Sequence, residues 1–371
     1  MQVFHLSHID LDGYGCQYIA REFFPNIHFF NANYGKEIMV RLQSILKNIQ
    51  NHSLSSLDRL SEKFRSKTPQ NKNEKFLILI TDLNLSLSES KFLQEQVNSL
   101  KIGHNQQEGK DIEILLLDHH ITGEESAKSF HWYHLDATRC ASKITYETLL
   151  KKFNLLQPEK KEWLDKLVQV INAIDIWQEK DWGFELGKVA MGMIASSNEF
   201  NRFMLEEHNR EYKFKLIDAL QDFIDKPNAA VAFDNALFKI KKIALGGNPE
   251  TQIMDNIISQ SQVKLLELKK EDCTITHQDK KGFLSYSMGG ISVLANLFLQ
   301  QNPEFDFYID INAKGNVSLR SNGKCDVSAL SQQYFNGGGH KNASGGKLNG
   351  FKESFLYQDI KAQVMNTLSK T

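Results

Sequence analysis

Four separate apolar runs in this chain each deliver Asp or His at their C-terminal end, and that recurrence constrains the fold more than any other feature. The leucines of 115–117 run into Asp118, His119 and His120. An apolar start leads into HIDLDGYG, with His8, Asp10 and Asp12. FLILI at 76–80 precedes Asp82, and VQVINAI at 168–174 precedes Asp175. A short continuous apolar run is the pattern of a strand buried on both faces. In a parallel α/β sheet the strand C-termini line the ligand crevice, so residues distant in sequence converge there. Taken singly, each residue has an ordinary reading: Asp10 and Asp12 as turn residues around Gly13, Asp82 as a helix cap, Asp175 as a surface carboxylate, His119 as a core histidine. Their joint recurrence outweighs those readings.

Between these ends the chain alternates strand and helix. Residues 2–7 read as a strand, and a helix from Tyr14 to Phe24 stops before Pro25. A strand over 27–34 and a helix over 36–50 follow, the helix with apolar Ile38, Leu42, Ile45, Leu46 and Ile49. Residues 51–75 turn polar and read as a loop or polar helical insertion. Beyond 76–80 come a helix over 86–100 capped by Ser86 or Ser88, a loop over 103–111, the strand ending at Asp118, a strand at 130–136 and helices over 139–153 and 158–176. The fold class is therefore α/β. The expected organisation is a parallel-sheet domain over 1–185, a helical connector over 186–250 ended by the Gly-Gly-Asn-Pro of 246–249, and a smaller α/β domain over 251–371. In the last, DFYIDINAKGNVSLRSNG reads as a hairpin turning at Lys314-Gly315-Asn316.

Charge and cysteine usage narrow the chemistry. With 44 Lys and Arg against 45 Asp and Glu, nothing announces long nucleic acid as a required partner. Cys16, Cys140, Cys273 and Cys325 are scattered without a C-x-x-C pair, which argues against a disulfide framework or thiolate zinc site and fits a reducing compartment. His5, His8 and Asp10 come too early for a secretory apolar segment, and no stretch reaches the roughly 18 apolar residues of a membrane span, so a cytoplasmic location is expected. Oxygen and imidazole donors without thiolates suit Mn²⁺ or Mg²⁺, and the mixture of histidines with aspartates favours Mn²⁺. Two such ions about 3.5–4 Å apart, sharing one carboxylate, can activate water as a nucleophile; Asp82 is the candidate bridge.

The whole set resembles the DHH phosphoesterase family, named for the Asp-His-His that stands here at 118–120. The family's motifs match His8/Asp10/Asp12, Asp82, Asp118/His119/His120 and Asp175. VSLRSNG at 317–323 and FNGGGHKNASGG at 335–346 look like the DHH-associated domain of nanoRNases, RecJ-type exonucleases and 3′-phosphoadenosine 5′-phosphate phosphatases. The SHIDLDGYG and DIWQ forms are most similar to the nanoRNase branch. The resemblance implies that His8, Asp10 and Asp82 hold one ion and Asp12, Asp82, His119 and Asp175 the other. His120 would contact the phosphate or help protonate the leaving oxygen, with Asp118 orienting a neighbouring histidine. Arg320, Ser321, Gly337, Gly338, Gly339 and His340 would hold the nucleotide or its terminal phosphate, the glycines by letting backbone amides approach and the arginine by its fork. Lys341 adds charge, and Arg139 is a further candidate. His5 reads as structural, and Trp177 as a core aromatic rather than a base platform.

The implied activity is metal-dependent hydrolysis of very short oligoribonucleotides to 5′-mononucleotides, in a cleft between the catalytic and associated domains. The alternatives are a 3′-phosphoadenosine 5′-phosphate phosphatase, a cyclic or linear dinucleotide phosphodiesterase, and a non-catalytic nucleotide-binding module. Inorganic pyrophosphatase, another relative, is disfavoured by the Arg320 and GGGH features. The oligomeric state is open, a homodimer included.

Overall fold

The first sheet is built from β1 (Gln2–Ser7), β2 (Ile27–Asn31), β3 (Lys75–Thr81), β4 (Asp111–Asp118) and β5 (Tyr133–Leu135). The computed structural model describes residues 1–52, 75–102 and 109–369; the polar insertion expected over 51–75 and the loop over 103–111 fall mostly outside them. The strands run in the order β2-β1-β3-β4-β5, every neighbouring pair parallel, which is the α/β architecture expected. Apolar residues on both faces of β3 and β4 are buried, and this double burial is why they read as unbroken apolar runs.

The helices of this sheet are α1 (Leu11–Ala20), α2 (Lys36–His52), α3 (Leu87–Ile102), α4 (Glu124–Ser129), α5 (Ala141–Lys152) and α6 (Lys161–Asp175). One core joins Ile38, Leu42, Ile45 and Ile49 of α2 and Leu93 and Val97 of α3 to Ile78, Ile80 and Leu116 of the sheet. Helix α3 begins at a reciprocal cap: the Ser86 amide donates to the Glu89 carboxylate at 2.8 Å, and the Glu89 amide to Ser86 Oγ at 3.3 Å. Strand β2 ends at Asn31, short of the expected 34, because the chain turns through Gly35 (φ +85°) into α2.

Register positions the site. Ser7 pairs with Thr81, and Thr81 with Leu117, so His8 and Asp82 leave the sheet beside Asp118, the last residue of β4. They do so where the strand order reverses, the place where open α/β sheets bind ligands. Helix α1 starts close against the end of β1. A Cβ on Gly13 would lie 2.4 Å from the His8 carbonyl oxygen, so only glycine permits that approach.

The described chain divides into two compact units, Met1–Ala195 with Ile217–Asp234, and Ser196–Leu216 with Asn235–Thr371. Helices α7 (Phe184–Ser196), α8 (Glu206–Asp218) and α9 (Ala229–Ala244) contribute to both. The second unit has a mixed sheet of β6 (Thr274–His277), β7 (Lys280–Tyr286), β8 (Phe307–Ile311), β9 (Asn316–Ser321), β10 (Gly338–His340) and β11 (Ala343–Lys347), in the order β10-β11-β9-β8-β7-β6. The expected β8–β9 hairpin is present. The glycine-rich stretch forms an edge hairpin, β10–β11. Its glycines have a packing reason: a Cβ would fall 1.9 Å from the Gly345 oxygen at Gly337 and 2.6 Å from the Ala343 oxygen at Gly339. Among the described residues no helix is long and apolar enough to cross a membrane.

The Gly13 contact generates a stability prediction. Gly13→Ala should destabilise the protein by about 1–3 kcal/mol in urea unfolding, through forced displacement of α1. Gly192→Ala, in α7 with no atom within 4 Å of the new methyl, should be neutral or stabilising. An unchanged midpoint for Gly13→Ala would contradict the account of α1.

Candidate active site

Two groups of donors meet at Asp82. In the first, His8 Nδ1 lies 2.8 Å from Asp10 Oδ2 and 3.7 Å from Asp82 Oδ2. In the second, His119 Nε2 lies 3.4 Å from Asp82 Oδ1, 3.6 Å from Asp175 Oδ2 and 4.0 Å from Asp12 Oδ2. Asp82 therefore turns one oxygen to each group. The ligand atoms of His8, Asp10 and Asp82, and separately those of Asp12, His119 and Asp175, lie within 4.8 Å of one another.

Local structure aims these side chains. Asp10 is the N-cap of α1: its Oδ1 accepts the Gly13 amide at 2.9 Å, leaving Oδ2 toward His8. Asp12 is received by the N-terminus of α5, where the Ala141 and Ser142 amides donate to its carboxylate at 2.7 and 2.8 Å. Asp82 takes a left-handed backbone (φ +55°) at the end of β3, a conformation Asp tolerates better than most side chains. Its amide donates to the Leu117 carbonyl at 3.1 Å, so the turn stays tied to β4.

The carboxylates are crowded and buried. Burial, then the charges of Asp12, Asp10, Cys16 and Asp175, push the Asp82 carboxyl far above its ordinary range. Burial, then Asp12 and Asp10, push Asp175 up to about 8. Burial also raises Asp12 against the opposing Ser142 hydrogen bond. Asp10 goes the other way: burial would raise it, but the hydrogen bond and charge of His8 and the Gly13 amide bring it down to about 2. Asp82 Oδ2 has no hydrogen-bond partner among the described residues. A buried set of carboxylates with an orphaned oxygen fits a cation, and oxygen and imidazole donors fit a hard or borderline divalent one. The clusters can thus hold divalent metal.

His120 is engaged differently. Its Nδ1 donates to Asp118 Oδ1 at 2.7 Å, and fully buried Asp118 accepts the Tyr133 hydroxyl on Oδ2 at 2.8 Å. Its Nε2 lies 2.9 Å from the Tyr34 hydroxyl. Burial would lower the His120 pKa, but the hydrogen bond and charge of Asp118 raise it above the ordinary value. For His119, burial dominates and lowers it, which keeps a neutral imidazole available as a donor. A His120 nitrogen also lies within 4.8 Å of donor atoms of Asp82 and His119, but both of its ring nitrogens already have partners.

Sequence reasoning missed Tyr34, Asn33 and Tyr133. Asn33 Oδ1 lies 3.3 Å from His8 Nε2, and the Tyr34 ring packs 4.5 Å from that of His8. The available signal was position: Asn31 pairs with Ser7, so the residues just past β2 emerge at the same sheet edge as His8. His5 is buried inside the sheet, with Nε2 2.8 Å from Thr81 Oγ1. Trp177, expected in the core, is 62% exposed. It stands past the end of α6 with φ +57°, its indole edge against Phe184 and its N–H donating to Glu179. Arg139 is held by Asp136 and Glu147.

The remaining candidates belong to the second unit. Cross-strand pairing puts His340, Ala343 and Arg320 in one row across β10, β11 and β9, so His340 and Arg320 share a face of the sheet. Arg320 donates to Ser292 Oγ at 2.7 Å. The Ser321 hydroxyl is occupied within the fold, donating to the Asp306 carbonyl at 3.0 Å and accepting the Cys325 amide at 3.1 Å. Gly338, unlike its neighbours, has no close contact for an added Cβ.

The raised Asp175 carboxyl yields a pH prediction. With its folded pKa above its ordinary value, its contribution to stability is fully present below 3.8 and is lost as pH rises through about 8. In chelator, the melting temperature of Asp175→Asn should therefore gain on wild type across that interval. Mn²⁺ should reverse the order at pH 8, because the cation binds the ionised carboxylate of the wild type. Parallel melting curves for both proteins, with and without metal, would contradict the cluster electrostatics.

Known proteins provide an independent comparison. No family model matches the chain. A 3′,5′-cyclic-nucleotide phosphodiesterase of Helicobacter pylori (strain ATCC 700392 / 26695) is 56% identical over 364 residues, 98% of each chain. Oligoribonuclease NrnB of Bacillus subtilis (strain 168) is 23% identical over 354 residues, 92% of this chain and 72% of that one. The crystal structure of an uncharacterized protein from Helicobacter pylori G27 superposes with a TM-score of 0.90 at 55% identity, covering 100% of both chains. Identity of 56% across nearly the full length of both chains is a family relationship, and the chain belongs to the DHH phosphoesterases.

Proposed function

We propose that the protein is a divalent-metal phosphodiesterase that opens the P–O3′ bond of small 3′,5′-phosphodiesters, with 3′,5′-cyclic nucleotides as its foremost substrates. The observation that supports this most is Asp82, whose carboxylate presents one oxygen to each of two donor groups. Two divalent cations bound there would neutralise the phosphate and generate a nucleophile from water near neutral pH. His8, Asp10 and Asp82 would hold one, and Asp12, Asp82, His119 and Asp175 the other. Mn²⁺ suits the two imidazoles better than Mg²⁺ does.

The chain's own groups do the remaining work. The α5 amides hold the Asp12 carboxylate in place at the site, and the Gly13 amide does the same for Asp10. His120, whose protonated form is favoured by its pairing with Asp118, supplies a proton for the departing O3′. Breaking P–O3′ leaves the phosphate on O5′, so the product is a 5′-mononucleotide. In the second unit, Arg320 and His340, with Lys341 next in sequence, would bind nucleotide phosphate, residues 251–371 acting as a substrate-holding domain.

The full-length Helicobacter relative supports cyclic nucleotides, and the Bacillus relative supports a second substrate with the same bond, very short oligoribonucleotides. A net charge of −1 favours small substrates over extended polyanions. A 3′-phosphoadenosine 5′-phosphate phosphatase would break a monoester instead, and a non-catalytic module would have no use for the complete donor set. The protein would act as a soluble, cytoplasmic enzyme.

Product analysis with Mn²⁺ decides among these. The panel is cyclic mononucleotides, cyclic dinucleotides, RNA from dinucleotides to long strands, and 3′-phosphoadenosine 5′-phosphate. The expected result is 5′-mononucleotide, fastest from the cyclic mononucleotides and abolished by chelator. A 3′-mononucleotide product would exclude P–O3′ cleavage. Asp82→Asn, which tolerates the left-handed backbone, should lose more than the roughly 10–100-fold typical of an outer-shell change.

A further inference from the structure

His120 has no free ring nitrogen, because Asp118 Oδ1 lies 2.7 Å from Nδ1 and the Tyr34 hydroxyl 2.9 Å from Nε2. A proton can leave Nε2 for a substrate only through the tyrosine oxygen, or after the tyrosine has moved away. The surroundings hold the tyrosine where it is. Its ring packs on His8 with centroids 4.5 Å apart and meets His120 edge-on at 5.6 Å. Its amide donates to Asn33 Oδ1 at 2.9 Å, and the Asn33 amide donates at 2.9 Å to the carboxylate of fully buried Glu37. Moving the hydroxyl aside would break both ring contacts. Yet Tyr34 is 41% exposed, at the sheet edge that carries the donor clusters, so a substrate oxygen can reach it.

We infer that Tyr34 is a further catalytic residue, relaying the proton from His120 Nε2 to the leaving O3′. The inference rests on the phosphodiesterase reading. In the step, the P–O3′ bond breaks and its electron pair stays on O3′, which takes the Tyr34 hydroxyl proton. The tyrosine oxygen takes the Nε2 proton of His120. The ring is left neutral, its Nδ1 proton still held by Asp118. Water supplies the new P–O bond, and the proton it releases to solvent balances the one His120 later recovers. Nothing is oxidised or reduced.

Tyr34→Phe removes the hydroxyl and keeps the ring contacts. The full-length variant and wild type are compared with Mn²⁺ on two substrates. Adenosine 3′,5′-cyclic phosphate expels a sugar alkoxide, which needs a proton; the p-nitrophenyl ester of thymidine 5′-phosphate expels a phenolate, which does not. The kcat on the cyclic nucleotide should fall by roughly 10²-fold or more. The fall on the ester should be far smaller, with KM and calorimetric Mn²⁺ affinity retained. His120→Ala should show the same dependence on leaving group. Equal losses on both substrates, no loss on the cyclic nucleotide, or weakened Mn²⁺ binding would each overturn the relay. An active wild type with a variant indifferent to leaving group rejects the relay alone, whereas a wild type that cleaves neither substrate rejects the phosphodiesterase reading and the relay together.

Discussion

The buried carboxylate of Asp82 is the interaction on which the site depends. It is 1% exposed, follows the largely apolar strand β3, and lies among the carboxylates of Asp10, Asp12 and Asp175. Such a group costs free energy to bury ionised, and the cost grows with each like charge nearby. Its left-handed backbone adds strain of the kind that persists where surrounding structure over-determines it. The fold supplies that over-determination through the hydrogen bond from the Asp82 amide to the Leu117 carbonyl and the flanking strand pairs. Divalent cations held by these donor groups would turn the same crowding from a penalty into binding energy.

Several side chains reconcile stability and chemistry by dividing their atoms between them. One oxygen of Asp10 starts helix α1, and the other faces the donor group. Asp12 is held by two helix amides while one of its oxygens remains 4.0 Å from His119. Asp118 is wholly internal, fixed by Tyr133 on one oxygen, and orients His120 with the other. These arrangements fix ligand directions before any ligand arrives, which is what preorganised catalysis requires.

Sequence reasoning succeeded where local chemistry and strand periodicity determine the outcome. Apolar runs such as FLILI specify buried strands whatever their partners, and polar residues at their ends have nowhere else to go than the strand termini. It failed where orientation mattered. Trp177 has the composition of a core residue, but the positive φ past the end of α6 sends its indole out of the core.

The sequence by itself determined the α/β class, the parallel strands and the list of acidic and imidazole donors, because burial patterns and residue chemistry are local properties. Tertiary structure decided the grouping. Register aligned Ser7, Thr81 and Leu117, and so brought His8, Asp82 and Asp118 to one edge. Only in three dimensions does Asp82 divide its oxygens, His120 lose both ring nitrogens to partners, and Tyr34 join the site. These outcomes depend on distances between residues up to 86 positions apart in the chain, from Tyr34 to His120, which no periodicity encodes.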